Sequence, residues 1–116
     1  MKQLYYCSAD CNEFSLRSYS TYVWDCSDGY CRLRMYRSAT TYQHYRKYLK
    51  WLRENCHTRA AEIFEALYSV CMTKTKGKRP DYAIYNLDTG EINAFYFRRE
   101  YKEYIAAHNI NEYNAL

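Results

Sequence analysis

The chain has 116 residues, 48% of them apolar, and a formal net charge of +4. That length suits one domain with one core rather than two, and with this apolar content disorder is not the default. No stretch approaches the roughly 20 apolar residues that a membrane-spanning helix needs.

In chain order, Leu4 to Cys7 is a short aromatic strand candidate, Ser8 to Asn12 reads as a polar loop, and Phe14 to Trp24 is rich in aromatic and β-favouring residues. Asp25 to Gly29 reads as a turn, with Gly29 free to take positive φ. Tyr30 to Arg37 alternates, with Cys31, Leu33 and Met35 on one side and Tyr30, Arg32, Arg34 and Tyr36 on the other. A hairpin is expected there, its outer face carrying two Arg between two Tyr.

Ser38 to Thr41 offers helix N-caps, and from Tyr42 the period becomes helical. Tyr45, Tyr48, Leu49, Leu52 and Cys56 form one stripe. Arg46, Lys50 and Arg53 form another, with Lys47 beside it. Thr58 is an N-cap candidate for a second helix to about Met72, buried along Ala60, Ile63, Phe64, Leu67 and Cys71. Residues 73–80, with Lys74, Lys76, Lys78 and Arg79, read as a mobile basic loop. Tyr82–Leu87 and Glu91–Phe97 flank Asp88-Thr89-Gly90 as a second hairpin. A third helix near Arg98–His108 has Tyr101, Tyr104 and Ile105 on its apolar side, and residues 109–116 form a polar tail. The expectation is a single α+β domain, 1–116. Two antiparallel hairpins and a short N-terminal strand form one sheet, packed against two or three helices.

Charge is uneven along the chain. Tyr30 to Arg79 holds twelve Lys and Arg against three acids, a net +9, while the remainder holds five bases against ten acids. A basic middle favours an anionic partner. Sixteen Tyr against four Phe and two Trp add rings with a polar tip, suited to gripping another molecule. The expected binding surface is therefore Tyr30, Arg32, Arg34, Tyr36, Arg46, Lys47, Lys50, Arg53, Lys74, Lys76, Lys78 and Arg79. Phosphates need such charge and bases need such rings. The competing reading is a solvated face whose Arg stems cover Tyr rings.

The N-terminus carries one charge before Cys7 and no apolar run of signal-peptide length, which points to the cytoplasm. The six cysteines then read as thiols or metal ligands before disulfides. Cys7, Cys11, Cys26 and Cys31 have spacings open to a four-thiolate zinc site, looser than usual. Cys56 and Cys71 read as small core residues. No catalytic constellation emerges. Cys56 and His57 are neighbours that point apart on a helix, His44 and His108 have no local acid, and Lys76-Gly77-Lys78 lacks the spacing of a nucleotide loop.

Three functions follow. The first is a non-enzymatic binding protein that contacts nucleic acid. The second is a phage or mobile-element inhibitor (anti-defence, anti-CRISPR-like) that occupies a host nuclease or other nucleic-acid-processing effector. The third is a small zinc-stabilised interaction domain, otherwise free of cofactor. No membrane partner is expected, and a homodimer stays open.

Overall fold

Alternating inward and outward side chains make the first part of the chain a strand meander. The computed structural model describes residues 2–4 and 9–110. Its strands are β1 (Lys2–Leu4), β2 (Ala9–Asn12), β3 (Ser15–Ser18), β4 (Thr21–Ser27) and β5 (Tyr30–Arg34). Helices α1 (Ala39–Glu54) and α2 (Thr58–Met72) follow, then β6 (Tyr82–Asn86), β7 (Ile92–Phe95) and α3 (Arg98–Ala107). The described strands form one seven-stranded antiparallel sheet in chain order. The α1–α2 pair is an insertion between β5 and β6, which are neighbours in the sheet. The fold is α+β, as the sequence implies.

The sheet has more strands than two hairpins and an N-terminal strand. Ser8 to Asn12 is not all loop, because Ala9–Asn12 pairs with β1 on one side and β3 on the other. The aromatic stretch Phe14 to Trp24 is two strands folded back at Tyr19, whose φ of 59° turns the chain. The expected strand at Leu4 to Cys7 begins earlier, at Lys2, and residues 5–7 lie outside the described residues. Between β4 and β5 the turn is only Asp28-Gly29, both at positive φ (55° and 81°). That is the two-residue geometry whose twist matches an antiparallel hairpin.

Helix ends explain two further differences. Ser38 caps α1, its Oγ accepting from Thr41 N–H at 3.2 Å. At the other end Cys56 takes φ 61°, with Cys56 N–H donating to Arg53 O and His57 N–H to Leu52 O at 2.9 Å. This is a Schellman closure, which puts Cys56 in the left-handed position and turns its side chain out to solvent. Cys56 is thus off the apolar stripe, while Cys71 is buried as expected. The N-cap of α2 is His57 rather than Thr58. The polar tail does not begin at 109. Asn109 (φ 53°) closes α3 in the same way, Ile110 N–H reaching Ile105 O at 3.0 Å, and the Ile110 side chain is buried against that end of the helix. Residues 111–116 lie outside the described residues.

The sheet is the middle of three layers. On one face α1 and α2 bury Leu16, Val23, Trp24, Leu33 and Ala83 beneath Tyr45, Tyr48, Leu52, Phe64 and Leu67. Phe64 is central, its ring edge-on to Trp24 and Tyr48 at 5.1 Å each. On the other face α3 lays Tyr101 and Ile105 over Tyr82 and Ile84, with Tyr101 stacked on Tyr82 at 4.5 Å. No described helix is long and apolar enough to cross a membrane.

Candidate nucleic-acid interface

β5 places its side chains alternately on the two faces, so Arg32 and Arg34 share the face opposite Leu33. The sequence reading leaves that face open to solvent. The structure covers it with α3. Arg32 is 1% exposed and pairs with Asp25 directly opposite it on β4, Nη2 to Oδ2 at 3.1 Å. A guanidinium closed off in this way contacts no large ligand. Tyr30 is half-buried against the same small core. Arg34 stays half-exposed, with its guanidinium 4.5 Å from the Tyr36 ring and 5.3 Å from that of Tyr82.

The remaining expected cations divide into two groups. Arg46, Lys47, Lys50 and Arg53 belong to α1, on the opposite face of the sheet from Arg34. Arg46 and Lys50 are exposed, Lys47 is half-buried, and Arg53 is held by Glu65 at 2.6 Å. The Lys74–Arg79 segment is exposed, but Thr75 and Lys78 exchange backbone hydrogen bonds of 2.7 and 3.1 Å across a Lys76-Gly77 turn. The basic tip is thus a closed two-residue turn. It brings the Lys78 ammonium 5.4 Å from the centre of the Phe97 ring. Arg37, counted in the basic middle, is a structural clamp. It donates to Cys71 O at 3.0 Å and Pro80 O at 2.8 Å, and pairs with Asp81 at 3.0 Å.

A second set of residues, missed in the sequence, completes the half-exposed side. Arg98 Nη1 lies 3.5 Å from the Tyr82 hydroxyl, bringing it to the ring that Arg34 covers. Lys102 is one turn further along α3. Loss of water, then the positive charge of Arg98, Arg34 and Arg32, holds its ammonium below the usual lysine range. Cations from β5 and α3 therefore converge, with Tyr36 beside them, and the 59%-exposed Phe97 precedes α3. The signal was present in the i, i+4 spacing of Arg98 and Lys102. Nothing in the sequence says that α3 crosses β5.

The cysteines and histidines serve other ends. Cys26 and Cys31 are unbridged thiols, Cys11 is buried, and Cys7 lies outside the described residues. Among the described residues no group of three or more His, Cys, Asp or Glu side chains is arranged to hold a metal ion. His44, fully buried on α1, meets Ser18 of β3, Nδ1 to Oγ 2.7 Å. Ser18 Oγ also lies 3.4 Å from Thr41 Oγ1, so this polar cluster ties α1 to the sheet inside the core. Compared with known proteins, the chain matches no family model, no curated protein and no solved structure.

Proposed function

We propose that this chain is a non-enzymatic binding protein that contacts nucleic acid through the surface made by Arg34, Tyr36, Lys78, Phe97, Arg98 and Lys102. The observation that carries the reading is the convergence of Arg34 and Arg98 on the Tyr82 side chain, with Tyr36 against Arg34 and Lys102 one turn further along α3. Such a cluster gains most from a polyanion, whose phosphates offset the mutual repulsion and release condensed counterions. Phe97 and Tyr36 supply flat rings beside it for unpaired bases. The α1 cations lie across the sheet and do not belong to this surface.

Fluorescence polarisation of a labelled single-stranded oligonucleotide at low salt tests the reading. Binding is expected to fall steeply with salt. Arg98→Glu and Lys102→Glu should each lower affinity roughly tenfold and reduce the salt slope by about one, while Arg46→Glu on α1 changes little. No binding even at low salt ends the reading. A stoichiometric complex with a nucleic-acid-processing protein in its place would reassign the surface to that partner.

A further inference from the structure

A cleft of about 420 Å³ lies between the sheet and the α1–α2 junction. It is lined by Cys26 and Cys31, with Phe14, His57, Ile63 and Leu87. Cys26 and Cys31 are direct partners across the β4–β5 hairpin. The register sets their spacing. The pair that closes the Asp28-Gly29 turn is Ser27 and Tyr30, so the next pair is of the non-hydrogen-bonded kind. Cys26 N–H confirms this by turning away from β5 to Phe14 O at 2.7 Å. Such pairs hold their Cα atoms about 4.5 Å apart with side chains at closest approach. Disulfides span Cα separations of roughly 4.4–6.8 Å. Both side chains face the helix layer, Cys31 within its core and Cys26 packed against it. The Cys31 side chain beside it, then burial, raises the Cys26 thiol above its usual range, so exchange is slow at neutral pH and quickens as pH rises.

We propose that Cys26 and Cys31 form a dithiol that small organic disulfides convert reversibly to a cross-strand disulfide, with the cleft as their route of approach. One protein sulfur, as thiolate, attacks the reagent R–S–S–R, breaks its S–S bond and releases R–S⁻, leaving a protein–S–S–R mixed disulfide. The second protein sulfur attacks the protein sulfur of that mixed disulfide and expels the second R–S⁻. Two electrons pass from the cysteines to the reagent, and the two thiol protons end on the two departing thiols. The strand register already pairs the two residues at a Cα separation that a disulfide spans.

The test incubates the folded chain with oxidised glutathione, alkylates remaining thiols under denaturing conditions and digests with trypsin. Residues 18–32 leave as one peptide that holds both cysteines and no other. That peptide is expected unalkylated and about 2 Da lighter than its dithiol form, and restored by a reducing thiol. In Cys31→Ser the second step has no nucleophile, so glutathione should stay on Cys26, whereas Cys56→Ser should behave as the original chain. If Cys31→Ser does not fold, the mapping on the unaltered chain still decides. A 18–32 peptide alkylated at both cysteines after treatment, or glutathione retained on both in the unaltered chain, overturns the proposal.

Discussion

The two faces of the sheet are built by different means. The α1–α2 face is a thick apolar layer in which Trp24, Tyr45, Tyr48, Phe64 and Tyr68 interlock. Its tyrosines find partners for their hydroxyls, Tyr45 donating to Arg34 O at 2.6 Å and Tyr48 to Asn12 O at 2.7 Å. The α3 face is thin, with Tyr82, Ile84, Tyr101, Ile105 and Ile110 as its buried apolar residues, and it encloses the Asp25–Arg32 pair. One face is held by packed volume. The other is held by fewer apolar contacts and one neutralised charge, and its rim is where cations gather.

Substitutions can break this contrast, and the largest effect belongs to the thick face. Phe64→Ala removes the ring on which Trp24, Tyr45 and Tyr48 close, and should cost about 4 kcal/mol in urea unfolding. A much smaller loss would mean the layer collapses easily around the cavity. On the thin face, Asp25→Ala leaves the Arg32 guanidinium buried without its acid and should cost ~3 kcal/mol, whereas Arg32→Met, which removes the charge, should cost less. Equal losses in the two variants would locate the stabilisation in the attraction itself rather than in neutralising a buried charge.

Alkaline pH probes both faces together. Burial raises the phenol pKa of Tyr45 and Tyr48, and pushes that of Tyr101 up to about 12 despite the nearby Arg32 cation. The folded state therefore keeps protons that the unfolded chain loses from about pH 10, and stability falls as pH rises. Between about pH 10 and 11 each of the three should remove roughly 1 kcal/mol. A flat stability curve there would contradict their burial. The smallest effect separates the faces by single atoms. Tyr48→Phe removes the hydroxyl that donates to the Asn12 carbonyl and should cost about 1 kcal/mol. Tyr101→Phe, whose buried hydroxyl lacks a hydrogen bond of good geometry, should be nearly neutral.

The helices and the later hairpin were legible because each carries its own period and punctuation. The stripe Tyr45, Tyr48, Leu52 and the stripe Ile63, Phe64, Leu67, Cys71 are buried as their spacing implies. The meander was harder to read. Ala9–Asn12 is polar at alternate positions, and Tyr19 has none of the small-residue character that marks a turn. Cys56 fitted the apolar spacing, but the helix had already ended in a left-handed residue. Half of the candidate site was visible as Arg34, Tyr36 and Lys78. Its other half, Phe97, Arg98 and Lys102, read as the start of an ordinary amphipathic helix.

Local pattern determined which residues become strand or helix and which side of each element is apolar, since period and turn chemistry act within a few residues. It did not reveal the cross-strand pairing of Cys26 with Cys31, because Asp25 to Gly29 reads as one turn and only the structure shortens it to Asp28-Gly29. Only the tertiary structure decided what covers the second face of β5. The same alternation that sends Leu33 to one core sends Arg32 to the other side, and whether that side meets water depends on where α3 lands after β7. Placing α3 there buried one arginine of the pair against Asp25 and left the other at a rim of positive charge, a distinction that no spacing along the chain encodes.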